Sequence, residues 1–259
     1  MIDLNALYRD IDKYKSAIQD KRPLSPEEVT GLENYYRIGN TYASNALEGN
    51  SLTLTETKIL LEDGLTVAGK PLRDSFEAEG HAKAYDFMLE MSREDDLVIS
   101  EDKILRLHKL FYSGIDSEAA GKYREIAVFI SGTEYVPPEA KHVPVRMKNF
   151  ITELHKMKSK IHPVELAAFA HLQVANIHPF VDGNGRTARL LMNMILINSG
   201  YSIVSIPPVL SHDYITALKA AQRSVNPDVS SFYGFIAACE IDGQKDLCRM
   251  LHISVPKLK

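Results

Sequence analysis

A histidine, a carboxylate, two glycines around an asparagine, and two arginines fall within one twelve-residue segment, His178-Pro179-Phe180-Val181-Asp182-Gly183-Asn184-Gly185-Arg186-Thr187-Ala188-Arg189. These residue types suit phosphate chemistry. Gly183 and Gly185 permit positive φ angles that larger residues avoid. A turn of that kind aims successive backbone N–H groups into one concavity, an anion nest. The residues that follow begin a helix, whose N-terminal N–H groups and dipole attract the same anion. Arg186 and Arg189 are three apart and share a helix face, and guanidinium groups bind phosphate oxygens in bidentate fashion. Asp182 offers a hard oxygen ligand suited to Mg²⁺. His178 is a base that titrates near neutral pH. A bare Gly-X-Gly would mean only a turn between helices; a base, a metal-type acid, a nest and two arginines together mean more.

The elements that must hold this segment are mostly helices. Leu4, Leu7, Tyr8, Ile11, Tyr14 and Ile18 recur at helical spacing over residues 2–20. Ser25, Pro26 and Glu28 form a helix start with a capping box, and that helix is expected to run toward Leu47 and stop near Gly49 and Asn50. Thr53 restarts a helix that ends near Gly64; residues 74–91 and 100–112 read as two more. Ile126, Val128, Phe129, Ile130, Tyr135 and Val136 are strand formers around Ser131-Gly132-Thr133, so a short β-hairpin is expected at about 126–136. Helices follow over about 145–158, from Pro163, from Gly185 to Ser199, from Tyr214 to Arg223 and from Ser230 to Glu240. The expected fold class is all-α, one helical bundle domain with one small β-hairpin, without internal repeats.

Composition narrows the alternatives. The chain has 259 residues, 45% hydrophobic and 25% charged, and a formal net charge of −4. An acidic balance argues against nucleic acid as the main partner. No apolar run reaches the ~20 residues of a membrane span, and the first residues lack the pattern of a signal peptide, so the expected location is cytoplasmic with no membrane partner. Cys239 and Cys248 lack metal-site spacing and are expected to be buried or idle thiols. His155, His162 and His171 form no metal set and read as surface or packed histidines. Glu77 and Glu79 read as a solvated helix face.

The segment 178–189 matches every fixed position of the Fic motif, His-X-Phe-X-Asp/Glu-Gly-Asn-Gly-Arg-X-X-Arg, and the chain thus resembles the Fic/DOC-type protein adenylyltransferases. The resemblance implies a Fic-fold bundle and transfer of AMP from ATP to a Tyr, Thr or Ser hydroxyl of a protein. It implies His178 as the catalytic base and Asp182 as the ligand of Mg²⁺. Gly183, Asn184, Gly185, Arg186, Thr187 and Arg189 would contact ATP. The hairpin near 126–136 resembles the Fic flap, so Ile130, Ser131, Gly132 and Thr133 are expected to dock the target as an added strand. In the family a Tyr-Tyr pair and a later Asn line the adenine pocket. Here Tyr214 matches the first Tyr, Ile215 stands at the second and Gln222 at the Asn. The expected division is 1–95, an N-terminal helical region with an inhibitory helix at about 28–50; 96–210, the catalytic core with the flap and motif loop; and 211–259, C-terminal helices of the same domain.

Ser44-Asn45-Ala46-Leu47-Glu48-Gly49-Asn50 resembles the family's inhibitory motif, Ser/Thr-X-X-X-Glu-Gly/Asn. It implies that Glu48, with Ser44, pairs with Arg189 and takes the guanidinium that the γ-phosphate needs. The same glutamate supports AMP removal in some relatives, and others use a different donor. A nucleotide-sensing module without catalysis and a DNA-binding regulator are further alternatives; the presence of His178 counts against the first, the acidic balance against the second. Self-modification and a homodimer stay open.

Overall fold

The computed structural model describes residues 2–254; Met1 and 255–259, the end of the expected C-terminal region, lie outside the described residues. Ten α-helices are found among the described residues, α1 Leu4–Asp20, α2 Pro26–Ala46, α3 Leu54–Asp63, α4 Leu72–Met91, α5 Glu101–Tyr112, α6 Val143–Met157, α7 Pro163–Ile177, α8 Asn184–Asn198, α9 Ser211–Ala221 and α10 Val229–Met250. Their starts follow local chemistry. Ser25 accepts from the Glu28 N–H at 3.2 Å while the Glu28 carboxylate accepts from the Ser25 N–H at 2.8 Å, with Pro26 at the first helical position. Thr53 and Glu56 build the same box on α3, and Ser100 caps α5. α10 runs ten residues beyond the expected end at Glu240, because Ile241, Leu247 and Cys248 continue its buried face.

The centre of the bundle is the α7–α8 hairpin. Both helices are apolar on nearly every side, the pattern of helices surrounded by others. Leu190, Leu191, Met192, Met194 and Leu196 of α8 are buried, as are Val164, Ala167, Ala168 and Val174 of α7. α4, α10, α6, α5 and α2 pack around this hairpin, and α1 lies along α10 through Tyr8, Ile11, Tyr14 and Ile18. One contiguous apolar core extends from Tyr8 to Leu251, with a small satellite of Leu52, Leu60 and Ala78 under α3. Both cysteines are buried free thiols. No helix among the described residues is long and apolar enough to cross a membrane.

The expected hairpin does not form. Residues 126–138 carry no regular structure apart from a turn at Ser131-Gly132, and no strand occurs among the described residues. An isolated two-stranded ribbon gains too little without a third strand or a packed face. Here the strand-forming side chains point outward: Ile126, Phe129 and Val136 are all exposed.

Candidate functional site

The site forms where the turn between α7 and α8 meets the end of α2. α7 ends because His178 adopts a left-handed conformation, φ 50°, and Pro179 follows. Gly183, φ 75°, is the N-cap residue of α8, and only a glycine fits, since a Cβ would also press on the Phe111 ring. The Asn184 side chain closes the turn, accepting from the Phe180 N–H and donating to the Phe180 carbonyl, both at 2.9 Å. No side chain caps α8, so its first N–H groups remain directed at the cleft. The turn differs from the expected nest in one respect. Gly185 lies inside the first turn of α8 with ordinary helical backbone. Its missing side chain matters for space: a Cβ there would run into the Glu48 carboxylate.

That carboxylate sits where an anion at the α8 N-terminus would sit. The Arg189 Nη2 donates to Glu48 Oε1 at 2.7 Å and to the Ser44 carbonyl at 2.9 Å; its Nε donates to Ser44 Oγ at 2.9 Å, and its Nη1 to the Tyr214 hydroxyl at 3.3 Å. Burial by itself would raise the Glu48 carboxyl, but Arg189 and Arg186 outweigh it and hold the group below the usual carboxylate range. Glu48 belongs to the turn after α2, where Gly49 takes φ 89°. The pair therefore joins residues 141 apart in sequence.

Arg186 is buried over the Phe111 ring, its Cζ 4.3 Å from the ring centre. Its Nη1 lies 3.3 Å from Glu77 Oε1 and donates to Asn45 Oδ1 at 3.3 Å, and its Nη2 reaches Asp182 Oδ1 at 3.5 Å. Arg186 Nε is buried without a hydrogen-bond partner. Glu77 is thus no solvated residue. It is 6% exposed, and it also accepts from Arg73 Nε at 3.0 Å and from Asn50 Nδ2 at 3.0 Å. A buried carboxylate needs such partners, and two arginines on two helices supply them. Glu79, half-exposed beside Lys83, keeps the surface character expected of it.

Asp182 stands at the rim of the cleft. Its Oδ2 accepts from Arg73 Nη2 at 2.7 Å, and its Oδ1 accepts from the Gly183 N–H at 2.6 Å. Its carbonyl is held by His108. The Gly121 N–H donates to His108 Nδ1 at 2.9 Å, so Nε2 carries the proton and donates to the Asp182 carbonyl at 3.1 Å. His108 also stacks on Phe180 at 3.8 Å. Burial pushes His108 down to about 4, against the pull of the Asp182 carbonyl.

His178 presents a base to the same cleft. Its Nδ1 lies 3.4 Å from the Ala175 carbonyl, so donation there leaves Nε2 with the lone pair. Burial lowers its pKa, the Ala175 carbonyl opposes the shift and Arg124 adds to it, so the ring is neutral at pH 7. Arg124, buried in the segment after α5, donates through Nε to the His178 carbonyl at 2.7 Å.

Other expected residues are placed differently. Thr187 is fully buried with an unpartnered hydroxyl, and its N–H is spent on the Gly183 carbonyl at 3.0 Å, so it offers nothing to a ligand. Tyr214 is buried beside Phe232 and Phe235. Its hydroxyl links Arg189 to His171 Nε2 at 3.0 Å, and burial drives His171 to about 3. Gln222 lines an open groove of about 1200 Å³ between α9 and the 132–136 segment, and donates to Asn176 Oδ1 at 3.0 Å. Ile130 and Ser131 lie in the exposed loop, and Gly132 and Thr133 face this groove. His171, Glu77, Arg73, His108 and Arg124 were not legible as site residues. Only the Arg73–Glu77 spacing of four carried a local signal.

A histidine, a helix N-terminus without a side-chain cap and two buried arginines thus meet in one cleft of an all-helical bundle. Residues 98–196 match the model of the Fic/DOC family. The chain is 36% identical over 208 residues to the protein adenylyltransferase Fic of Nematostella vectensis and of Drosophila willistoni. Those matches cover 80% of this chain but only 47% and 40% of the relatives' length. A Fic-domain signaling protein from Bacteroides thetaiotaomicron is similar with a TM-score of 0.86 at 26% identity, over 95% of this chain and all of the other. Fic-1 of C. elegans is similar with a TM-score of 0.84 at 27% identity, over 96% and 73%.

Proposed function

We propose that this chain transfers AMP from ATP to a hydroxyl of a protein, and that Glu48 holds the reaction down. The observation that carries the reading is the Glu48–Arg189 contact at the N-terminus of α8, beside a neutral His178. His178 Nε2 takes the proton of a Tyr, Thr or Ser hydroxyl. The freed oxygen attacks the α-phosphorus, the bond to the bridging oxygen breaks, and pyrophosphate leaves. A base poised near neutral pH contributes ~10²–10⁴-fold. The α8 N–H groups, Arg186 and Arg189 bind the triphosphate and its developing charge.

Asp182 is the candidate ligand for Mg²⁺. No cluster of three or more ligating side chains exists among the described residues. That fits Mg²⁺, which is commonly held by one carboxylate together with phosphate oxygens and water. The ion would neutralise charge on the phosphates; Arg73 must leave Asp182 Oδ2 for it to bind. The loop 126–138 offers unpaired backbone to an extended target segment, and a site in the cytoplasm is consistent with buried free thiols.

Removal of AMP with Glu48 as a base for water is less favoured. A carboxylate held below its usual range by two arginines is a weak base and a strong clamp. Mass spectrometry after incubation with ATP and Mg²⁺ tests the proposal on wild type, Glu48→Gly and His178→Ala/Glu48→Gly. An AMP adduct is expected on the second and none on the third. An adduct on the third sinks His178 as the base, none on the second sinks the AMP-transfer reading, and as much on the wild type as on the second sinks the brake.

A further inference from the structure

The loop 126–138 has no ladder to fix where it lies, yet its base is held. Arg124 holds it. This guanidinium is 3% exposed and has no carboxylate partner among its hydrogen bonds. Every acceptor is a main-chain carbonyl: His178 for Nε at 2.7 Å, Ile126 for Nη1 at 3.0 Å and Pro138 for Nη2 at 2.5 Å. Its own N–H donates to the Pro179 carbonyl at 2.9 Å. The two ends of the loop are thus drawn to one fork, and that fork is fastened to the residue that carries the base. A second tie, from the Tyr135 hydroxyl to the Asn176 carbonyl at 3.0 Å, pins the far arm to the last turn of α7.

A buried cation without a counter-charge is costly, and such groups are kept where their geometry is used. Five donors in a rigid plane can span three carbonyls; a lysine offers one point charge and cannot. Arg124 also secures the left-handed backbone of His178, a conformation uncommon outside glycine.

We propose that Arg124 is a positioning residue that sets the distance between His178 and the loop 126–138, and so the register in which an acceptor hydroxyl meets the base. This rests on the AMP-transfer reading above. Arg124 touches neither phosphate nor acceptor in this scheme; it acts through the two backbones it joins. Misplacement of about 1 Å in such a transfer costs ~10²-fold.

The test uses Arg124→Lys in the Glu48→Gly background, which keeps the charge and removes the fork. Three quantities are measured: self-labelling with α-labelled ATP, affinity for a fluorescent ATP analogue, and exchange of the hydrogen-bonded amides of Arg124, His178 and Phe180. The expected result is labelling reduced ~10²-fold, analogue affinity within about twofold, and exchange of these amides faster by about tenfold. A purely structural role would lower nucleotide affinity together with labelling, and that result overturns the proposal. So does labelling within about threefold of the parent, or unchanged exchange. If Glu48→Gly itself labels nothing, the AMP-transfer reading fails; the exchange data then decide alone whether Arg124 is the tether, loss of protection upholding it and retained protection refuting it.

Discussion

Replacing Glu48 by glycine is expected to trade stability for activity, and both sides follow from the Arg189 contacts. Arg189 loses one acceptor at 2.7 Å and keeps Ser44 Oγ, the Ser44 carbonyl and Tyr214. A hydrogen bond to a charged group contributes about 1.5–3 kcal/mol, and the Glu48 side chain is 34% exposed, so solvent screening discounts it. A loss of about 1–2 kcal/mol is expected, or roughly 2–8 °C in Tm at this chain length. Glycine costs little backbone order here, because Glu48 lies in the turn after α2. The freed guanidinium then takes the triphosphate, so ATP should raise the variant's Tm more than that of the wild type. Self-labelling should rise ~10²-fold through correct alignment of the α-phosphate. Scanning calorimetry with and without ATP, beside a labelling time course, reads all three. A variant as stable as wild type, with the same ATP shift and labelling rate, refutes the reasoning.

Three further outcomes are expected. Gly185→Ala in the Glu48→Gly background should abolish binding of an ATP analogue in a fluorescence titration, because its methyl fills the space now taken by the carboxylate; undiminished binding would mean the triphosphate lies elsewhere. Arg73→Ala should lower the Mg²⁺ concentration that half-saturates nucleotide binding, since Asp182 Oδ2 loses a competitor at 2.7 Å; an unchanged or raised requirement would remove Asp182 from the metal site. His81 and His171 are pushed down to about 3 and His108 to about 4, mainly by burial. Their unfolded counterparts protonate near 6.5, so stability is full above that pH and declines as pH falls toward 4, by up to about 4 kcal/mol per pH unit for three histidines. A Tm that stays flat from pH 7 to pH 5 would contradict it.

The parts of this fold that were legible in the sequence are those with local causes. Ser25, Pro26 and Glu28 mark the start of α2 by their own hydrogen bonds, and the His178–Arg189 segment carries its chemistry within four helical turns of chain. The Glu48 pairing was reached through its motif and is realised as a contact with Arg189. What was missed depends on long-range packing. Glu77 looks like any surface glutamate until Arg186 is brought to 3.3 Å from it. Arg124 is one charged residue in a stretch without regular structure, and its role exists only because its four partners are carbonyls that no sequence pattern distinguishes. Tyr214 and Thr187 were named through the resemblance alone, and packing turns one toward Arg189 and buries the other. The hairpin failed because strand-forming side chains found nothing to cover them.

That missing ladder bears on how targets would be chosen. The arms between Ile126 and Pro138 leave peptide groups facing solvent, tied down only at their base and at Tyr135. An acceptor segment that lies along them supplies the pairing the loop lacks, and it must be extended to do so. Selection would then act on conformation before composition: unstructured tails and loosened strand edges qualify, and a hydroxyl on a helix does not. Affinity for any one such segment would be modest, because both sides lose chain entropy on contact.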